Sequence, residues 1–300
     1  MIKRQNKAYL FSVLAILFWS TAASAFKISL QYLNSASLLL LSSIVSLFIL
    51  WIFILSNGEY KKLLSLKPSD LLISMLLGLL NPFLYYLVLF KAYDLLPAQE
   101  AMTLNYTWPL MLALLSVPVL GQKLNVKSIL ALLISFSGIV IIATDGQPAS
   151  LEFKNLTGTL LAIGSSLIWA SFWLFNVKSK LKETLKLFLN FFWGSCYVLI
   201  FSFITGDIMF PSLYGFMGAA YIGIFEMGIT FVLWLKAMQL TARTDKISQL
   251  VFLSPFLSLI FISIFVGETI HIYTIAGLIL IITGIFLQKY GTTTKKESLQ

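Results

Sequence analysis

Ten long stretches of the chain carry almost no charge, and the short segments between them each contain at least one charged residue. A helix needs about 20 apolar residues to cross about 30 Å of hydrocarbon, because it rises about 1.5 Å per residue and satisfies its own backbone hydrogen bonds. The pattern therefore predicts an all-α integral membrane protein with ten transmembrane helices. The predicted spans are 8–26, 37–55, 71–90, 101–120, 128–143, 158–177, 187–204, 214–235, 247–266 and 272–287.

The composition supports this interpretation and excludes others. The chain is 59% hydrophobic and 11% charged, with a mean hydropathy of +0.91, whereas soluble domains are about 45–50% apolar and about 25% charged. A soluble domain, a disordered chain and a nucleic-acid-binding protein are therefore excluded, despite the net charge of +9. The single cysteine, Cys196, excludes a disulfide framework and is expected to be a small buried apolar residue.

Lysine and arginine predict the topology, because basic residues in short loops stay on the cytoplasmic side. With the N-terminus inside, all but three of the 21 basic residues lie on that side; the exceptions are Lys27, Lys91 and Lys154. We therefore expect a multi-pass protein of the inner or plasma membrane with both termini in the cytoplasm. This bias also accounts for the positive net charge without an acidic partner.

The two halves of the chain repeat each other. Trp19 recurs as Trp169 at an offset of 150 residues, Lys91-Ala92 as Lys236-Ala237 at 145, and Pro109, Gly121 and Gly138 as Pro255, Gly267 and Gly284 at 146. The predicted organisation is a five-helix repeat over 1–145, an external linker over 146–154, a second five-helix repeat over 155–290 and a cytoplasmic tail over 291–300. Because five is odd, the second repeat enters the membrane from the opposite side, and such inverted repeats are typical of secondary transporters with a site near the midplane.

These residues resemble a known family. Trp19-Ser20, Ala92, Pro255, Gly267-Glu268 and the segment 277–284 are similar to the EamA-like branch of the drug/metabolite transporter (DMT) superfamily, over essentially the whole chain. In the first repeat, Glu100, the run 105–109 and Gly121-Gln122-Lys123 further resemble the bacterial aromatic amino acid exporters of the YddG type. The resemblance implies a ten-helix secondary transporter that exports small metabolites, with amino acids, and aromatic ones first, as its substrates.

Two polar residues lie deep in predicted spans. Glu226 stands ten residues before Lys236, which is about 15 Å along a helix and near the middle of the membrane, and its repeat mate is Asn81. A central ionisable residue costs about 2.5–3.5 kcal/mol on insertion scales, so such residues usually line a cavity or contact one another. We expect both to face a central cavity; the alternative for Glu226 is a structural hydrogen bond, for example to Thr230.

Several aromatic residues share helical faces with these polar residues or are repeat mates, and they could stack on a planar or cationic ligand. By contrast, Trp51, Trp193, Trp234 and Tyr290 lie near span ends or lack repeat mates, and we expect them to pack between helices or at the membrane interface. The predicted lining of the substrate cavity is Trp19, Asn81, Tyr85, Asn105, Tyr106, Trp108, Trp169, Trp173 and Glu226.

Proline and glycine positions predict where helices bend and where they pack closely. Pro82, Pro109 and Pro255 are predicted gating kinks, and the hypothesis is that the last two let each fourth helix flex between inward-open and outward-open states. The amide of Asn105 is placed to reach the region where Pro109 removes a backbone hydrogen bond. Glycines at matched positions in the fifth helix of each repeat, Gly138 and Gly284, are expected to permit close helix packing, as are Ala131 and Gly277.

Enzymatic chemistry finds no support in the sequence. His271 is the only histidine, and neither a Gly-x-Ser-x-Gly turn nor a phosphate-binding glycine loop is present. We therefore expect no catalytic residues, no metal and no cofactor. The expected partners are a small-molecule substrate, the lipid bilayer and, as a further candidate, a coupling proton, and the protein is expected to work as a monomer. The alternatives are a carrier of cationic or other metabolites that uses Glu226, and a membrane receptor, scaffold or channel that transports nothing by alternating access.

Overall fold

The computed structural model describes residues 2–63, 65–120, 126–149, 154–176, 181–241, 247 and 250–292, and these ranges contain helices and loops but no strand. The α-helices are α1 (Ile2–Ser29), α2 (Ser35–Ser56), α3 (Tyr60–Leu63), α4 (Pro68–Gly78), α5 (Tyr85–Leu95), α6 (Ala98–Asn105), α7 (Trp108–Leu120), α8 (Val126–Ala143), α9 (Leu156–Asn176), α10 (Glu183–Thr205), α11 (Leu213–Tyr221), α12 (Thr230–Leu240), α13 (Ser254–Phe261) and α14 (Ile272–Thr292).

Within these ranges, eight helical segments are long and apolar enough to cross a membrane, and two further segments, Val251–Val266 and Ile272–Leu287, are shorter apolar stretches. Each predicted span overlaps one of these segments. The helices extend beyond the apolar runs, as α1 does by starting at Ile2, because charged residues at a helix end can reach the interface. The protein is therefore an all-helical integral membrane protein.

Several of these segments are interrupted in the middle. A π-helical segment, Leu79–Leu84, joins α4 to α5, a second one, Ile222–Ile229, joins α11 to α12, and a turn at Tyr106 and Thr107 separates α6 from α7. Irregular backbone at membrane depth is tolerated where it is buried in protein or lines a cavity. The two π-helical segments occupy corresponding positions in the two halves.

Helices of each half pack on the first helix of the other half. Helices α5 and α7 of the first half pack on α9 of the second half, and α12 and α13 of the second half pack on α1 of the first half. Likewise α2 packs on the π-helical segment 222–229, while α10 packs on the segment 79–84. The two halves thus pack together through equivalent helices rather than as separate bundles.

Among the described helices, α8 and α14 form the most extensive contact. A Cβ atom built on Gly138 would lie 2.6 Å from the carbonyl oxygen of Gly277, and one on Gly284 would lie 2.5 Å from that of Ala131. These distances leave no room for a side chain, so the small residues permit the backbones to meet, as the sequence predicts.

Gly138→Ala is therefore expected to destabilise the protein by about 1–3 kcal/mol, because the added methyl group must push α14 away. The measurement is the melting temperature of the detergent-purified protein. Gly164→Ala on α9 is the matched control, since a Cβ there meets nothing within 4 Å. Equal melting temperatures for the two variants would contradict this account of the α8–α14 contact.

Candidate functional site

A cavity of about 720 Å³ lies between α1, α5, α6, α7, α9, α12, α13 and α14. Eight of the nine residues predicted for a central cavity line it: Trp19, Tyr85, Asn105, Tyr106, Trp108, Trp169, Trp173 and Glu226. Residues far apart in the sequence, from both halves of the chain, thus meet around one space.

Asn81 is the exception. Its side chain is fully buried, does not line the cavity, and has no hydrogen-bond partner on either of its polar atoms. A residue before proline is driven towards extended backbone, and Asn81 adopts φ −144° and ψ 119° ahead of Pro82. Its repeat mate Glu226 lies within a continuous π-helical segment, so the two matched positions present their side chains differently.

Glu226 is the carboxyl group of the cavity. Its Oε1 accepts a hydrogen bond of 3.2 Å from the hydroxyl of Tyr86, and its Oε2 has no partner. Thr230, the partner considered for a structural role, instead donates to the backbone carbonyl of Phe225. No Asp, Lys, Arg or His is found among the described residues that line the cavity.

A directed chain of hydrogen bonds holds the polar wall beside Glu226. The hydroxyl of Ser165 donates to the carbonyl of Ala162 at 2.7 Å, and the amide nitrogen of Asn105 donates to Ser165 at 2.8 Å. The remaining amide oxygen of Asn105 accepts from the hydroxyl of Tyr85 at 3.3 Å. Asn105 is therefore held by α5 and α9, and not by the backbone near Pro109 as the sequence suggested.

Tryptophans form the aromatic part of the wall. The ring of Trp169 stacks on Tyr85 at 4.5 Å, and Trp19 lies 5.4 Å from Trp234 between ring centroids. Trp234 packs on Trp19 of α1, in line with the expectation that it packs between helices, and it also lines the cavity. Trp51 packs on Phe188 and lies outside the lining, in line with its prediction.

Two of the three predicted gating prolines lie at helix starts. Pro109 is the second residue of α7 and lines the cavity, while Pro255 is the second residue of α13 and is buried outside the lining. A proline in the first helical turn removes no intrahelical hydrogen bond, since that N–H would be unpaired anyway. The bends therefore precede these prolines, and Pro82, within the segment 79–84, packs against Gly194 of α10.

The repeat identifies lining residues that the analysis of single residues missed. Leu89 and Trp234 are repeat mates, as are Tyr93 and Met238, and all four line the cavity. Applying the offset of 145 residues to whole helical faces would have found them. Other mates differ in polarity, since Asn105 and Tyr106 of the first half correspond to Val251 and Phe252 of the second. The polar wall thus comes mainly from the first half.

Polar contacts close the end of the bundle that carries the linker, called the linker end. The carboxylate of Glu268 accepts hydrogen bonds from the backbone N–H of Ala98 at 2.7 Å and of Gln99 at 3.2 Å, at the start of α6. The side chain of Gln99 in turn donates to the carbonyl of Thr269 and accepts from the backbone N–H of His271. These contacts join α6 to the loop before α14.

Lys27 adds a second set of contacts at the linker end. Its ammonium group donates to the carbonyls of Tyr93 and Leu96, both at 2.7 Å, and so joins α1 to the end of α5. Farther out, Lys154 pairs with Asp145, and this hydrogen bond raises the pKa of Lys154. Together, the contacts of Glu268, Gln99 and Lys27 are called the linker-end latch.

Exposure of the lining increases away from the latch. Phe26 and Tyr93, near the linker end, are each 3% exposed, whereas Trp108, Trp173 and Met238, towards the end that carries the chain termini, are half-buried. Other lining residues towards the terminal end, namely Leu110, Leu174 and Ile285, are buried, so the difference in exposure is confined to part of the lining.

Some predicted features lie outside the described residues: Gly121, Gln122, Lys123 and positions 150–153 of the linker. Among the residues that are described, no group of three His, Cys, Asp or Glu side chains is placed to hold a metal ion. His271 stacks on Tyr273 at 4.9 Å in the linker-end loop, away from the cavity lining.

Comparison with known proteins gives consistent matches over most of the chain. The family model of the EamA-like transporter family matches residues 6–144 and 156–288. A relative from Clostridium kluyveri, described as an uncharacterized transporter, is 24% identical over 311 residues, which cover 98% of this chain and 96% of the relative. Another so described, from Archaeoglobus fulgidus, is 26% identical over 301 residues, 97% and 99% of the two chains.

Two further comparisons agree. The uncharacterized transporter YvbV of Bacillus subtilis is 24% identical over 226 residues, 74% of this chain and 72% of that protein. A solved crystal structure superposes with a TM-score of 0.66 over 96% of this chain and 98% of its own, at 20% sequence identity. At that identity the structural likeness supports the fold alone.

Proposed function

The chain belongs to the EamA-like transporter family, and from this premise we propose that it is a secondary transporter that exports small metabolites by alternating access around the central cavity. The family makes the protein a membrane transporter and not an enzyme. The observation that carries the proposal is that eight predicted residues from both halves of the chain line one cavity. Ligand sites at the interface of two repeats are typical of transporters that rock one repeat against the other.

Amino acids, with aromatic ones favoured, are the proposed substrates. The indole and phenol rings around Trp169 offer stacking surfaces for a planar side chain. The carboxyl of Glu226, with its unpartnered Oε2, offers a site for an ammonium group. A coupling proton on the same carboxyl is the second role proposed for Glu226, and a carrier of other cationic metabolites is the alternative function that this residue favours.

The orientation is also a proposal. The lysine and arginine bias favours cytoplasmic termini in the inner or plasma membrane. In this orientation the latch lies on the external side, and the half-buried lining residues Trp108, Trp173 and Met238 lie towards the cytoplasm, an arrangement that suits an inward-open carrier. A monomer is sufficient for this mechanism, because one chain supplies both halves of the cavity wall.

The proposed function is tested by flux into proteoliposomes of the purified protein. The panel consists of labelled aromatic, other neutral and cationic amino acids, each with and without a pH gradient. Saturable movement of phenylalanine, tyrosine or tryptophan is the expected result. Movement of cationic or unrelated metabolites alone would refute the aromatic assignment and retain the carrier, while no saturable flux of any compound would favour a receptor, scaffold or channel.

Pro109→Ala and Pro255→Ala test the bend points. If the helix starts at these prolines must flex during transport, both variants are expected to change the transport rate by several fold, because proline fixes the backbone of the first turn. The initial rate of flux is the measurement, with Pro68→Ala as the control, because Pro68 is the exposed first residue of α4 and lies outside the cavity lining. Unchanged rates in both variants would reject a gating role.

A further inference from the structure

The described cavity lining contains an acidic side chain and no basic one. Glu226 contributes a carboxyl group, and the described lining residues include no side chain that carries a positive charge. Lys27, at the linker end of the cavity, is bound to the carbonyls of Tyr93 and Leu96. A positive group on the ligand would therefore be compensated, whereas a carboxylate on the ligand would meet no opposite charge on the described lining.

The hydrogen-bond directions around Glu226 also favour a ligand group that donates hydrogen bonds. Ser165 uses its proton on a backbone carbonyl, so it accepts from the amide nitrogen of Asn105, and this fixes the amide oxygen towards Tyr85. The proton of Tyr85 is thereby committed to Asn105, and the proton of Tyr86 is committed to Glu226 Oε1. Glu226 Oε2 and the hydroxyl oxygen of Tyr85 remain as acceptors, which suit a ligand group that carries several N–H donors.

The other donors on the lining are neutral. They are hydroxyl, amide and indole groups, such as those of Tyr106, Asn105 and Trp173. Such groups can donate hydrogen bonds to a carboxylate but supply no countercharge, and an uncompensated charge in an apolar site is costly. A zwitterion that placed its ammonium group at Glu226 would bring its carboxylate into this neutral surrounding.

We propose that the cavity selects an aromatic primary amine: a planar ring joined to an ammonium group with no carboxylate beside it. The inference rests on the proposed transport function and departs from its amino acid assignment, because it names an aromatic amine without a carboxylate as the preferred substrate of the same cavity. The ammonium group binds Glu226 Oε2 and the hydroxyl oxygen of Tyr85, and the ring lies against the tryptophans. A quaternary ammonium ligand binds less tightly, because it keeps the charge and loses the N–H donors.

The test is the affinity of three ligands for the full-length protein in detergent, measured by isothermal titration near neutral pH. The ligands are tryptamine, tryptophan and trimethylated tryptamine, which share the indole ring and differ in the carboxylate or in the N–H donors. Tryptamine is expected to bind about ten- to a hundredfold more tightly than either of the others. Titration avoids flux measurements, in which the neutral form of an amine crosses lipid unaided.

Each other outcome overturns part of the account. Equal or tighter binding of tryptophan refutes the selection against a carboxylate and leaves the proposed transport function standing. Equal binding of the trimethylated ligand refutes the hydrogen-bonding role of the N–H donors. Binding of none of the three refutes the inference, and only the absence of saturable flux across the wider panel refutes the transporter itself.

Two variants test whether Glu226 is responsible for the preference for tryptamine over tryptophan. Glu226→Gln is expected to reduce the ratio between the affinities for tryptamine and tryptophan to near one. Glu59→Gln, which alters a carboxyl paired with Lys182 outside the cavity, is expected to leave the ratio unchanged. A Glu226→Gln variant that folds and keeps the wild-type ratio would contradict the assignment, and the ligand series on the wild type remains decisive if the variant does not fold.

Discussion

Glu226→Gln is expected to lower saturable transport by about ten- to a hundredfold, the loss typical of a hydrogen bond to a charged group. Glutamine has nearly the same shape and can still accept from Tyr86, so the substitution removes the charge with little change in packing. Both roles proposed for Glu226, pairing with a substrate ammonium group and binding a coupling proton, require a carboxyl that can ionise. The measurement is the initial rate of flux over a series of pH values.

The pH profile identifies the role of this carboxyl. The titratable side chains around it are the tyrosines Tyr85, Tyr86, Tyr93 and Tyr106, and no basic side chain is found among the described lining residues. If Glu226 is the group that titrates, Glu226→Gln flattens the profile, and Tyr86→Phe, which removes the bond to Oε1, shifts it. Wild-type rates with an unchanged pH profile in Glu226→Gln would reject both roles.

Variants that break the linker-end latch are expected to open the linker end of the cavity. Glu268→Ala removes two hydrogen bonds to backbone N–H groups at the start of α6, and each bond to a charged group contributes about 1.5–3 kcal/mol. The variant is therefore expected to populate states in which the cavity is accessible from the linker end. Lys27→Met, which removes two bonds to carbonyls, is expected to act in the same direction.

The readout is the rate at which a membrane-impermeant maleimide labels Tyr93→Cys from the linker side, with the native thiol removed by Cys196→Ser. The labelling rate is expected to rise about tenfold or more when the latch is broken. Asp207→Ala is the control, because this acidic residue lies exposed in the loop after α10, at the same end and outside the latch. Equal labelling rates with and without the latch would contradict its role in closing this end.

The sequence predicts the helices well because each of them must cover the hydrocarbon with uncharged residues, and a long apolar run has few other solutions. It also predicts most of the cavity lining, since polar and aromatic residues at matched midplane positions have a reason to meet. Glu226 and Trp169 are found by this reasoning, and both line the cavity.

The positions of Asn81 and Trp234 and the contacts of the latch depend on tertiary structure, which no local sequence pattern predicts. Asn81 leaves the lining because the proline after it breaks the helix, and Trp234 joins the lining although its place near a span end favours the interface. The contact of Glu268 with Ala98 joins residues 170 positions apart, one of them through its backbone N–H. The side chain at position 98 therefore gives no sequence signal for the latch, because the contact uses its backbone N–H.

Counterflow in proteoliposomes tests the central claim most directly. Vesicles are loaded with an excess of the unlabelled compound that gives the highest saturable flux, and the uptake of the labelled compound is followed with no other gradient. A carrier whose single cavity faces one side at a time predicts a transient overshoot of label above equilibrium, which Glu226→Gln abolishes. Monotonic equilibration, or no uptake of any compound in the panel, would contradict alternating access around this cavity.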